Sequence, residues 1–412
     1  MIWLCWKDLR KKFLVAFGLD KGEYIMKLAK RVQDLPPYLF VGISRAIAKK
    51  KEQGIDVISF GIGDPDIPTP KPVIDRLKIA SENPTHHRYP ESEGLPEFRE
   101  SVAKFYSNRF GVDLDYKTEI INLIGAKEGI AHAPLCFIDP GDIALVPNPA
   151  YPVYEIGTMF AGGETVFIDL LEKNDFLIDF SIIDTNIAKK AKMLWINYPN
   201  NPTGAIANLD FYKEAVEFCK NFDIALMHDA CYTEVTYDGY VAPSLLQVPG
   251  AKDIAIEFHS LSKTANMTGW RVGSAAGNPD LINALMRVKS NIDSGLSQAI
   301  QEMGIEALSL SNDWIKDNNN IYKNRRDKVV STLKEIGLDA KAPSATLYIW
   351  TKVPNGYSSA SFTERLLEEV NVVVTPGNGY GTAGEGYIRL SLTIPDDQID
   401  EGLKRLSKLT LK

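Results

Sequence analysis

The sequence predicts an α/β protein: a large domain with a mostly parallel seven-stranded sheet flanked by helices, plus a smaller α+β domain. Three observations lead there. Seven short β-rich runs lie between Glu119 and Ala276 and are mostly continuous apolar stretches, the pattern of strands buried on both faces. Helical patterns separate them, most clearly Leu209–Phe222 with Phe211, Ala215, Phe218 and Cys219 as its apolar positions. Strands alternating with helices give a parallel sheet. After about Leu308 the alternation stops, and a long charged helix leads into short strands mixed with helices.

The expected strands are Ile120–Ile124, Ile143–Val146, Thr165–Ile168, Met193–Asn197, Ile224–His228, Ile254–Phe258 and Val272–Ala276. Beyond them come a helix over Asp313–Ile336, a strand over Leu347–Val353, a helix near Ser361–Glu369, strands at Val372–Val374 and Tyr387–Leu392, and a last helix. The large domain is expected over residues 61–308 and the small one over 309–412. Residues 26–60 are expected to pack with the small domain. Residues 1–25 read as an extension foreign to the native protein or disordered. Lys21-Gly22-Glu23 can be encoded by a ribosome-binding-site-like stretch, and Met26 follows closely. N-terminal mass spectrometry tests that start.

The chain has 412 residues, 45% of them apolar and 24% charged. Those values exclude disorder, collagen and a disulfide-stapled mini-scaffold. Lys plus Arg total 46 against 53 Asp plus Glu, a net charge of −7. That balance argues against a nucleic-acid surface, which carries a basic patch. No run of 18 apolar residues occurs, so no membrane span is expected. The four cysteines form no C-x-x-C pair and the five histidines no H-x-x-x-H spacing. Free buried thiols, a reducing cytoplasm and no dedicated metal site follow.

The strongest chemical signal is Ser260-Leu-Ser262-Lys263, eight residues ahead of Arg271. A lone loop lysine is ordinarily solvated, but this one follows an apolar strand and has hydroxyls at −3 and −1. It keeps company with Asn197-Tyr-Pro-Asn-Asn201-Pro-Thr-Gly204, His228-Asp229-Ala-Cys-Tyr232, Gly61-Ile-Gly63-Asp-Pro-Asp66, Tyr89-Pro-Glu-Ser-Glu-Gly94 and Arg389-Leu-Ser. Each piece alone has a bland reading: a turn before proline, a strand-end cap, a surface ion pair. Together, in this order, they resemble the class I/II aminotransferases of fold type I over nearly the whole chain from Leu35.

That resemblance implies pyridoxal 5′-phosphate as cofactor and Lys263 as its Schiff-base lysine and proton shuttle. An amine attacks a carbonyl only when neutral, so a lysine pKa lowered by partial burial and a cationic neighbourhood is expected. It implies that Asp229 faces the pyridine nitrogen and keeps the ring protonated. Tyr232 and Asn201 would hydrogen-bond the ring oxygen, and Tyr151 would stack on the ring face, with Tyr154 its competitor. Gly125, Ala126 and Lys127 follow a strand and open a helix expected to start near Glu128, and backbone N–H groups at a helix N-terminus suit a phosphate. Ser260, Ser262 and Arg271 would complete that cup. Tyr89 would reach it from a second subunit, making a homodimer. Arg389 would take the substrate α-carboxylate with its bidentate fork, helped by Gly63.

Finer details are similar to the LL-diaminopimelate aminotransferases. They are Leu35-Pro-Pro-Tyr38-Leu-Phe40, His87-Arg-Tyr-Pro90, Lys127-Glu-Gly-Ile130 and Asn291-Ile-Asp-Ser-Gly-Leu-Ser-Gln298, with the glycine and Tyr198–Thr203 turns. The likeness implies amino transfer between LL-2,6-diaminopimelate and 2-oxoglutarate in lysine biosynthesis. Tyr38, Lys127 and the Asn291–Ser294 loop are the candidates for the distal end of the substrate. Transamination of alanine, aspartate or aromatic amino acids, or C–S bond cleavage on the same fold, are the alternatives.

Overall fold

The computed structural model describes residues 28–36, 47–409 and 411. The expectation for residues 1–25 and Tyr38 both lie outside the described residues. The chain divides after Pro36 into two compact units. Among its described residues the first holds a helical turn, Lys30–Gln33.

The second unit carries the seven-stranded sheet. Its strands are β2 (Ile120–Ile124), β3 (Ile143–Asn148), β4 (Glu164–Asp169), β5 (Ala191–Asn197), β6 (Ala225–Asp229), β7 (Ala255–Ser260) and β8 (Val272–Gly277), after a short β1 (Ile58–Ser59). They lie in the order β2-β8-β7-β6-β5-β3-β4, and only β8 runs against its neighbours. The central strands have no exposed face: Met193 to Asn197 and Ala255 to Ser260 are buried throughout. This explains their unbroken apolar sequence, since helices cover both sides. Two cores result. One, around Leu194, Leu226 and Met303, lies on one face; the other, around Trp195, Met227 and Phe258, lies on the other. Consecutive residues 194 and 195, and 226 and 227, thus point to opposite faces.

Local signals set the helix ends. The helix Leu209–Phe222 is capped by the Asn208 side chain on the Phe211 amide and stops where Asp223 turns left-handed. The long helix Asn312–Glu335 is capped by Ser311. It packs its Tyr322, Val329 and Leu333 into a separate core with Leu347, Ile349, Phe362 and Leu390.

That core belongs to a three-stranded antiparallel sheet, β11 (Thr375–Pro376), β12 (Tyr387–Ser391) and β9 (Tyr348–Lys352). Here β1 pairs in parallel with β10 (Val372–Val373), Val57 packs against Val373, and Lys50 bridges Glu368 at 2.6 Å. The segment before the first glycine turn is thereby fastened to the C-terminal part of the chain. The expected strand over Val372–Val374 stops at Val373, and a second short strand, Thr375–Pro376, follows it with a different partner.

Candidate active site

The parallel strands β5, β6 and β7 end side by side. Asn197 pairs with Asp229, and Asp229 with Phe258, just before Ser260. Polar groups at carboxyl ends of adjacent strands converge where ligands bind in open α/β sheets. A cavity of about 390 Å³ opens there.

Lys263, Asp229, Tyr232 and Asn201 all line it, from three separate stretches of chain. Lys263 sits in the short helical turn Leu261–Thr264 that follows β7, and its Nζ donates to Gly63 O at 2.6 Å. Burial holds its ammonium below the ordinary lysine range, against the opposing influence of Tyr348 and Asp64. The depressed pKa expected from the sequence is present, with desolvation as the leading cause and the nearby Arg389 cation a small one.

Asp229 is buried and ends β6. Its Oδ2 accepts from Tyr154 OH at 2.7 Å, and its Oδ1 from the Cys231 amide at 3.2 Å. Asn197 braces the same point: its Nδ2 donates to Asp229 O at 2.7 Å, while its Oδ1 accepts from the Asn201 amide at 2.9 Å. One side chain therefore sets the distance between the 229 strand end and the 201 turn. Tyr232 OH meets Tyr348 OH at 2.9 Å, and burial raises its phenol well above 10, so it remains protonated.

At one end of the cavity stand Ala126, Lys127, Ser260, Ser262 and Arg271. The helix Ala126–Phe137 begins there, capped by Gly125 at φ 71°. A Cβ on Gly125 would come within 2.3 Å of Arg271 Nη2, and one on Gly273 within 2.6 Å of the Ala126 amide. Two missing side chains thus let a guanidinium and a helix N-terminus approach one spot. Arg271 itself is left-handed at φ 57°, with Nη1 donating to Thr268 O at 2.8 Å. The Ser262 amide donates to Ser260 Oγ at 3.1 Å.

At the other end Arg389, in β12, is buried. Its Nη1 donates to Asn201 Oδ1 at 2.8 Å and its Nη2 to Gly61 O at 3.0 Å. Gly63 and Tyr151 are part of the lining. Tyr348 also lines it and was not foreseen. Its only sequence signal is its place in an apolar strand, where a tyrosine reads as core. Tyr89 does not line this chain's cavity and is 87% exposed. The Asn291–Ser294 loop is likewise outside it; Gly295 packs instead on the backbone at Glu91 and Ser92, which joins the two excluded segments into one patch.

No dedicated metal site was expected; among the described residues one such cluster occurs, with Glu128 and His132 of the cavity helix meeting Asp293. The fully buried Lys289 ammonium lies among them, 3.2 Å from Glu128 and 2.9 Å from Asp293, and supplies the positive charge they require. Of the described cysteines, none is in a disulfide; Cys219 is buried, and burial pushes the Cys136 thiol up to about 12.

Residues 55–406 match the model of the aminotransferase class I and II family. The chain belongs to the class I and II aminotransferases. An LL-diaminopimelate aminotransferase of Dehalococcoides mccartyi is 57% identical, over 93% of this chain and 98% of that one. One of Moorella thermoacetica is 53% identical, over 93% and 98%. Among solved structures, apo-BacF from Bacillus subtilis superposes with a TM-score of 0.90 at 36% identity, over 94% of this chain and 99% of that one. The fold-type I assignment drawn from the sequence stands on these likenesses.

Aminotransferases of this family depend on pyridoxal 5′-phosphate. The cavity fits that group on its own evidence. The glycine-lined cradle with Arg271 suits a phosphate, the buried carboxylate of Asp229 suits a protonated ring nitrogen, and Lys263 reaches the same space with an amine biased toward neutrality.

Proposed function

We propose that the chain moves an amino group from LL-2,6-diaminopimelate to 2-oxoglutarate, giving tetrahydrodipicolinate and glutamate in lysine biosynthesis. The observation that carries this reading is the 50–57% identity with LL-diaminopimelate aminotransferases over nearly their whole length. We read the enzyme as a cytoplasmic homodimer, with residues 61–308 as its cofactor-binding domain and 309–412 as its small domain. Among the described residues no helix is long and apolar enough to cross a membrane.

When bound, the cofactor supplies the electron sink that lets the substrate Cα proton leave. In this reading Ser260, Ser262, Arg271 and the Ala126 and Lys127 amides hold its phosphate, with Tyr89 of a second copy. Asp229 keeps its ring nitrogen protonated, Tyr151 covers its face, and Asn201 and Tyr232 donate to its ring oxygen. Arg389, with the Gly63 backbone, grips the α-carboxylate and so fixes the Cα–H direction. Lys263 Nζ then takes that proton as base and returns it as acid, and burial, by lowering its pKa, favours the base form. Tyr38 and Lys127 are the candidates for recognising the distal end of the substrate.

A panel of amino donors tests the substrate: LL- and meso-diaminopimelate, alanine, aspartate and an aromatic amino acid, each with 2-oxoglutarate. The LL isomer is expected to have the highest kcat/KM. A higher value for any other donor, or release of pyruvate and ammonia in place of transfer, overturns the assignment.

A further inference from the structure

We propose that Tyr154 is a positioning residue for the reaction, holding the Asp229 carboxylate in one orientation toward the cofactor's ring nitrogen; this rests on the functional reading above. The sequence offered Tyr151 and Tyr154 as competitors for a single role, stacking on the ring. The structure separates them. Tyr151 is half-buried and lines the cavity. Tyr154 is wholly buried and belongs to the core behind it, three residues on in the helix Val153–Ala161.

From there its hydroxyl donates to Asp229 Oδ2 at 2.7 Å. The other oxygen, Oδ1, accepts from the Cys231 amide. A carboxylate with one donor can swing about its Cβ–Cγ bond. One donor on each oxygen, from two different elements, fixes the carboxylate plane. The donor is itself immobile. The Tyr154 ring stacks on Trp195 with centroids 4.7 Å apart and planes 14° apart, and meets the Tyr151 ring edge-on at 5.9 Å. Burial, and then the Asp229 charge, raise the Tyr154 phenol well above 10, so it stays a donor wherever the protein is folded. The neighbouring Cys231 thiol is raised likewise by burial and by the same carboxylate, so it adds no competing charge.

Tyr154→Phe removes one hydroxyl and keeps the ring. With the chain loaded with 15N-ring-labelled pyridoxal 5′-phosphate, the nitrogen resonance is expected to stay at its protonated position in the wild type across neutral and mildly alkaline pH. In the variant it is expected to titrate within that range. Alongside, kcat for the amino-donor half-reaction should fall about tenfold with KM within about twofold, the signature of a group acting on the transition state through Asp229. Incorporation of 3-fluorotyrosine at 154 keeps the ring shape and strengthens the donor, and it should also move the resonance. It covers the case in which Tyr154→Phe does not fold. Loss of thermal stability with an unchanged resonance would mean that Tyr154 only packs, and would overturn the inference. A wild-type chain that takes up no cofactor overturns the functional reading and this inference with it.

Discussion

The guanidinium carbon of Arg389 stands 3.9 Å from the centre of the Tyr348 ring. The two are diagonal neighbours on one face of an antiparallel pair, since Arg389 lies opposite Trp350 and Tyr348 opposite Ser391. Tyr348 in turn hydrogen-bonds Tyr232. The cation that we assign to the substrate carboxylate is thus seated on an aromatic face and linked through it to the strand end that carries Asp229. A stacked, forked guanidinium is not replaceable by an ammonium.

Arg389→Lys should therefore raise KM for both the amino donor and the oxo acid by on the order of 10- to 100-fold, through loss of the bidentate grip. Steady-state kinetics with each substrate varied in turn measure it. A KM that rises for one substrate alone would place the other carboxylate elsewhere.

Lys263→Ala should remove the visible absorbance of the loaded enzyme and nearly all turnover. Spectra of the variant with added pyridoxal 5′-phosphate, beside an assay with LL-diaminopimelate, test it. Substantial remaining turnover would refute the role of this amine.

Gly63→Ala is expected to damage the site without touching the cofactor cup. A Cβ there would fall 2.2 Å from the Tyr348 hydroxyl. That phenol is buried and committed to Tyr232, so it must leave its seat beneath Arg389 to make room. Expected are a kcat/KM loss of roughly tenfold or more, from the misplaced cation, and near-normal cofactor affinity. A variant with intact kcat/KM would show that Tyr348 has slack.

His259 makes the folded state sensitive to acid. Burial, with a smaller effect of Arg109 against the opposing Glu257, brings its pKa down to about 4. An unfolded histidine titrates near 6.5. Between those values the unfolded chain binds a proton that the folded chain refuses. This stabilisation is complete above about pH 6.5 and is lost as the pH falls toward 4, on the order of 3 kcal/mol in all. Urea titrations at several pH values should show a shallower acid loss for His259→Phe than for the wild type. Equal slopes would contradict the buried neutral imidazole.

The sheet was legible because its strands are buried on both faces. Ile120–Ile124 and the helix Leu209–Phe222 match expectation to the residue, and the other sheet strands differ by one or two residues at an end. Burial writes itself into composition, so such elements show. The convergence of Lys263, Asp229, Asn201 and Arg389 was readable from short motifs taken together in their order along the chain. Contacts between distant strands leave no local trace. Tyr348 beside Arg389, Tyr154 behind Asp229 and the Lys289 ammonium between Glu128 and Asp293 are made by packing alone. Tyr89 illustrates a further limit: the role proposed for it lies in a second copy, and in a single chain its ring is simply exposed.

Because β8 doubles back along β7, Ser260 lies opposite Gly273. The stretch 261–272 leaves and returns to one point, carrying Lys263 near its start and Arg271 near its end. Adding or deleting a residue there would disturb the placement of Lys263 relative to Arg271. Anyone redesigning this enzyme's specificity by loop exchange should leave that span at its native length and graft elsewhere.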